Sequence, residues 1–181
     1  MPLPREDIYT TDDIYALPEG TRAELIDGEM YMMAPPSVPH QRIVTFLIST
    51  IDSYIKSKDG PCEVFSAPMA VYLNDDKRNY VEPDITVVCD KDKLDDHGCH
   101  GAPDLVMEIV SPGSKKMDYF IKLFKYRTAG VREYWVVDPI SSSITVYSFD
   151  LDIWAEHFTF TDKVKINIYE DLSIDFSKLK L

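Results

Sequence analysis

Two acids stand where strand interiors normally hold none. In Val81-Glu82-Pro83-Asp84-Ile85-Thr86-Val87-Val88, Asp84 opens an otherwise apolar run, and in Asp104-Leu105-Val106-Met107-Glu108-Ile109-Val110, Glu108 sits among apolar neighbours. Alternation puts Asp104, Val106, Glu108 and Val110 on one face of that strand and Leu105, Met107 and Ile109 on the other. A carboxylate at such a place is costly unless a cation or hydrogen-bond donors meet it. A buried salt bridge to Arg or Lys is one answer. The other is that two acids on neighbouring strands together hold a divalent ion. Mg²⁺ and Mn²⁺ favour oxygen ligands and keep waters, one of which can become a nucleophile.

Other chemistries find less support. His97-Gly98-Cys99-His100 lacks the second spaced ligand pair of a zinc site, and the charged stretch from Asp90 to Gly101 reads as a solvated loop. There is no Gly-rich phosphate loop, no Ser nucleophile elbow and no informative Cys-His spacing, so no nucleotide cofactor is expected. Cys62, Cys89 and Cys99 are odd in number and without paired spacing. That suits a reducing cytoplasm better than a disulfide framework. The acidic N-terminus, MPLPREDIYTTDDIYALPEG, has no apolar segment before a cleavage site, and no apolar run is long enough to span a membrane. A cytoplasmic protein is expected.

The elements that must position the acids follow from periodicity and turn chemistry. Thr11 to Leu17 predicts a short helix capped by Thr11 or Asp12. Arg22 to Met33 predicts a hairpin around Asp27-Gly28. Ile43, Leu47, Ile51 and Ile55 recur every four residues and predict a helix over 38–56, with Ser37 as cap and Pro39 in its first turn. Strands are expected over 62–73, 81–89 and 104–110, with a turn at Asn74-Asp75-Asp76. A second helix follows over 115–128, opened by Ser114 and closed by Gly130, with Met117, Phe120, Ile121, Phe124 and Thr128 as its buried face. Another strand covers 134–137, and 143–149 with 154–160 form a terminal antiparallel pair. At 181 residues, with 45% hydrophobic and 12% aromatic content, one domain over 1–181 is expected. Its class is α/β, a mixed central sheet flanked by helices, with an N-terminal hairpin and C-terminal antiparallel strands.

Pro83-Asp84 followed by Glu108-Ile109-Val110 resembles the PD-(D/E)xK nuclease superfamily, the restriction-endonuclease-like fold. More closely, ELIDGE (24–29), PDI (83–85), EIVSPGS (108–114), the Asp118, Lys122, Tyr126 spacing and AGVREYWVVDP (129–139) are similar to the Uma-two family of predicted restriction endonucleases. The resemblance covers roughly residues 10 to 150. It implies a Mg²⁺- or Mn²⁺-dependent endodeoxyribonuclease with DNA as substrate. Asp84, Glu108 and the Ile109 carbonyl would hold the ion, and Glu24 would assist directly or through water. The superfamily's usual lysine position falls on Val110, which carries no charge, and the family pattern transfers that role to Lys122. His40, Gln41 and Tyr126 are site neighbours.

Each residue also has a plainer reading. Lys122 could form a surface i,i+4 pair with Asp118 on the polar side of the helix, and Glu24 could pair with Arg22. His40 could be a cap-adjacent side chain, and Tyr126 could cover the sheet edge. For the whole chain the competing reading is a non-cutting binding or assembly module, such as a homodimer paired through its terminal strands. Charge bears on the choice. The chain holds 31 acids and 19 bases, a net charge of −12, which excludes broad, charge-driven coating of nucleic acid. Residues 115–132 hold six cations against Asp118, a local +5 that leaves −17 elsewhere. One basic helix beside an acidic site is compatible with local docking of DNA.

Overall fold

The structure, a computed structural model, describes residues 8–74 and 76–181. What the sequence suggests for residues 1–7, and for Asp75 in its turn, lies outside the described residues. Helix α1 (Thr11–Tyr15) is capped by Thr10, one residue before the expected position. Asp13 decides this, because its carboxylate accepts from the Thr10 amide at 2.7 Å and the Thr10 hydroxyl at 3.1 Å. Strands β1 (Ala23–Ile26) and β2 (Glu29–Met32) form the expected hairpin. Asp27 and Gly28 turn it with φ of 53° and 87°, the left-handed pair that a two-residue turn demands. Helix α2 (Val38–Lys58) follows, its His40 amide held by the Ser37 hydroxyl at 3.3 Å. Ile43, Val44, Leu47, Ile51 and Ile55 form its buried stripe.

The strand expected over 62–73 is two strands, β3 (Glu63–Ser66) and β4 (Val71–Tyr72), separated around Pro68, which has no N–H to give a ladder. Then come β5 (Ile85–Val88), β6 (Leu94–Asp95), β7 (Gly98–His100) and β8 (Leu105–Ile109). The supposed solvated loop over 90–101 is therefore structured: β4, β7 and β6 make a small sheet that buries Cys99. Gly98 permits it, since a Cβ there would lie 2.2 Å from the Ala70 carbonyl oxygen. The second helix begins as π-helical turns over Met117–Lys122 and continues as α3 (Leu123–Ala129) to Gly130. Strands β9 (Glu133–Asp138), β10 (Ser143–Ser148) and β11 (Ile153–Thr159) follow, with a further hairpin of β12 (Lys163–Lys165) and β13 (Ser173–Asp175) that periodicity does not foresee.

Six strands form the central sheet in the order β11-β10-β9-β8-β5-β3. Only β8 and β9 run parallel, joined through the second helix as a parallel pair requires. One face carries α2, the β12–β13 hairpin and Phe176, over Ile85, Met107, Ile109, Trp135 and Val137. The other carries the β1–β2 hairpin, the small sheet and the second helix, over Val106, Val110, Tyr134 and Val136. Glu108 belongs to this second face by alternation.

Two expectations are corrected here. Cys62 and Cys89 are joined in a disulfide. The pairing is set by register: Glu63 lies opposite Val88, which brings the adjacent cysteines face to face across 27 residues of sequence. Spacing alone cannot show that. The second correction is the orientation of the second helix. Phe120 and Phe124, expected inside, are 69% and 68% exposed, whereas Asp118, Lys122, Lys125 and Tyr126 face inward. The sheet face beneath offers Glu108, and the hairpin offers Glu24 and Asp27, so the side of the helix that can neutralise acids is the side that packs. The π-helical turns also take more residues per turn than the 3.6 on which an amphipathic stripe is read.

Candidate active site

The acids and the lysine meet beneath the second helix. Glu24 comes from β1, Glu108 from the centre of β8 and Lys122 from the last π-helical turn. Lys122 Nζ donates to Glu108 Oε1 at 2.8 Å and to Glu24 Oε1 at 3.0 Å, and lies 2.8 Å from Glu24 Oε2. Tyr126 donates its hydroxyl to Glu108 Oε1 at 2.6 Å. Glu24 is further fixed by the Glu82 amide at 2.9 Å. Glu108 and Lys122 are each only 4% exposed, so these interactions lie out of water.

Asp84 sits at the mouth, just before β5. Its Oδ2 accepts from the Ile109 amide at 2.8 Å and lies 3.1 Å from His40 Nε2. Its own amide points to Glu108 Oε2 at 3.4 Å. Asp84 is more open than Glu108, and a groove lined by Gln41, Thr45 and Asp84 leads to it. Glu24, Asp84, Glu108, Lys122, Tyr126 and His40 thus form one connected set. Gln41 lines the approach, and the contact shown by Ile109 is through its amide N–H. Glu24 turns both carboxylate oxygens toward Lys122, whereas Arg22 pairs with Glu82 at 2.6 Å.

A family model described as "Putative restriction endonuclease", Uma2, matches residues 11–180. The chain belongs to the Uma2 family. An uncharacterized protein of Synechocystis sp. is 26% identical over 125 residues, which cover 68% of this chain and 64% of that protein, so the match spans less than two thirds of the relative's length. A crystal structure from Anabaena variabilis, described as "a putative nuclease belonging to DUF820", is similar with a TM-score of 0.76. It is 22% identical, and the match covers 94% of this chain and 96% of that one. That likeness establishes that the chain shares the mixed α/β fold of that structure.

Electrostatics distinguish the site of this Uma2 protein from an ordinary buried ion pair. Glu24, Glu108 and Asp118 act on one ammonium, and Asp84 adjoins Glu108, so four carboxylates share the site with one lysine and it is formally −3. Burial pushes the Glu108 carboxyl up to about 8 against the pull of Lys122, and the charges on Asp84, Glu24 and Asp118 push the same way. Burial also raises Asp118, to about 6, although the Ser114 hydroxyl donates to it at 2.5 Å. Burial opposes the charge on Lys122, yet Glu108, Glu24 and Asp118 hold its pKa well above the ordinary lysine value. Lys122 is therefore cationic throughout the physiological range.

Hard carboxylate oxygens in negative excess are suitable donors for Mg²⁺ or Mn²⁺. Among the described residues, however, no three His, Cys, Asp or Glu side chains are grouped as an ion's ligands. The donors that fit are Asp84 and Glu108, whose adjoining strands bring them together.

The structure also adds partners that the motifs do not indicate. Lys125 grips Asp27 at 2.5 Å, so Lys122 and Lys125 clamp the hairpin through two acids spaced like themselves, three residues apart. Tyr80 donates to Glu82 Oε1 at 2.7 Å, and Glu82 in turn receives Arg22. Glu82 lies two residues before Asp84, and its acid in that run was the available signal. The expected basic helix is largely engaged elsewhere: Lys115 pairs with Asp138, Lys122 and Lys125 with the hairpin, and Arg132 with Asp104 and Asp150.

Proposed function

We propose that this protein is a metal-dependent nuclease that hydrolyses DNA phosphodiester bonds, with Asp84 and Glu108 holding Mg²⁺ or Mn²⁺ at the mouth of the buried acid cluster. The observation that carries the reading is Lys122 beneath Glu108 and Glu24. A buried ion pair contributes little net stability and is often replaceable by apolar residues. Here one lysine is surrounded by more acids than it can neutralise, an arrangement costly as scaffold and useful as chemistry. When bound, the ion supplies a Lewis acid for the phosphoryl oxygen and acidifies a water.

The chain's own residues do the rest. Glu24 fixes the Lys122 ammonium through both oxygens, leaving that cation beside Glu108 to stabilise negative charge developing on the phosphate. Tyr126 orients Glu108 from one side. The Ile109 amide and His40 hold Asp84 Oδ2, which sets the direction of its other oxygen. Lys122 acts as an electrostatic group and not as a base, because its neighbours keep it protonated.

Calorimetric titration of Mn²⁺ into the wild type and into Asp84→Asn tests this assignment. The reading expects saturable heat from the wild type and its loss in the variant. No heat from the wild type, together with no nicking of supercoiled plasmid, favours the non-cutting binding module.

A further inference from the structure

The exposed side of α2 carries a second groove next to the one that reaches Asp84. It has a volume of about 460 Å³, and its lining includes Phe46 and Leu179 with Arg42 and Lys180. The groove at Asp84 has a volume of about 340 Å³, and Gln41 and Thr45 line both, so the two adjoin along the helix. Arg42 and Lys180 are exposed, and neither has an ion-pair partner among the described residues. On a chain of net charge −12 that is notable, because four of the six cations around the second helix are already paired within the molecule.

We propose that these adjoining grooves are a binding track for an unpaired nucleic-acid strand, which lays a base on Phe46, sets its phosphates against Arg42 and Lys180, and leads its backbone past Gln41 to Asp84. The chemistry of the lining selects the ligand. An apolar, aromatic floor takes the face of a base, and every base has one, while cations at the rim take the phosphates. A duplex keeps its base faces stacked inside and can offer this floor only its sugars and phosphates. It also needs a broader basic surface than this acidic chain presents. An acidic peptide could use the same cations, but the groove's position beside the one that reaches Asp84 favours a ligand whose phosphates are to be cut. The direction of the track rests on the nuclease reading, whereas binding itself does not.

Fluorescence anisotropy in EDTA, where cleavage is suppressed, tests the track separately. A labelled 12-nucleotide single strand and the corresponding blunt duplex are titrated with wild type, Arg42→Ala/Lys180→Ala and Phe46→Leu, the last chosen to keep apolar volume beside Phe176. The single strand should bind more tightly than the duplex. The double variant should weaken binding about tenfold at low salt and reduce the slope of log K against log salt by about 1.4, two phosphate contacts at about 0.7 each. Phe46→Leu should weaken it about fivefold or more, as loss of a stacking platform does. Unchanged affinity in the double variant, preference for the duplex, or equally effective competition by polyglutamate would each overturn the proposal. Strand binding that falls in the variants while wild type fails to cut with Mn²⁺ supports the track and breaks only the nuclease reading.

Discussion

The two faces of the central sheet are packed by opposite means. Beneath α2, Leu47, Ile51, Ile85, Leu105, Met107 and Trp135 are wholly buried, an interior of aliphatic and aromatic side chains. Beneath the second helix, the same sheet buries Glu24, Glu108, Asp118, Lys122 and Lys125, with Tyr126 and Tyr134 among them. Strand β8 belongs to both, sending Met107 and Ile109 one way and Glu108 the other. The first face gains stability from area removed from water. The second gives stability up to desolvation and recovers part of it through specific partners. On the proposed nuclease reading, the difference separates the residues that hold the fold from those that the fold serves.

Removing the cation from the polar face should produce the largest stability change. Lys122→Met leaves Glu24, Glu108 and Asp118 without their shared partner and should cost about 3–5 kcal/mol at pH 8 by urea denaturation. The loss should shrink toward pH 5, where Glu108 and Asp118 can take up protons. Leu47→Ala on the opposite face should cost about 2–5 kcal/mol, set by the cavity left behind, and that cost should be the same at both pH values. Equal pH dependence in the two variants would erase the contrast between the faces.

A subtler tilt should appear in the wild type. The folded-state pKa of Glu108 is raised to about 8, from an ordinary value near 4.5. Between those values the native protein therefore binds more protons than the unfolded chain, and stability falls as pH rises through that window. Glu108→Gln removes this titration, so its Tm relative to wild type should climb between pH 5 and 8, by roughly 5 °C or more. A constant Tm difference across the window would contradict the charge excess assigned to the site.

The smallest effect belongs to the helix's outer side. Phe120→Ser and Phe124→Ser should each change stability by no more than about 0.5 kcal/mol, as exposed substitutions do. If either proved as costly as a buried Phe→Ala, about 3–5 kcal/mol, the helix would be facing the other way.

That helix also marks where sequence reasoning loses its hold. The hairpin at Asp27-Gly28 and the stripe of α2 are legible because turn chemistry and a four-residue repeat are local signals. Glu108 is legible as an anomaly, an acid inside an apolar strand. The second helix is misread by the same logic, since its phenylalanines suggest an inward side. What decides its facing is the acid on the sheet beneath, 14 residues away in sequence, and the two acids on the hairpin, each 98 residues from its lysine. The strands β4, β6 and β7 are two or three residues long, too short for alternation to register. The disulfide depends on strand register, which no spacing of three cysteines encodes. Connection of Glu24 to Lys122 is likewise tertiary: the family motifs name both residues, but only the packed hairpin shows that Glu24 spends both oxygens on the lysine.

If the polar face is chemical machinery and not scaffold, cleavage of supercoiled plasmid and of circular single-stranded DNA must depend on Glu108. Wild type and Glu108→Gln, matched for folding by thermal melts, are compared in Mg²⁺, Mn²⁺ and EDTA. Wild type should cut only with metal, and the variant should lose about 10³-fold or more, equivalent to about 4 kcal/mol of transition-state stabilisation. Cleavage by Glu108→Gln at the wild-type rate, or wild-type cleavage undiminished in EDTA, would contradict it.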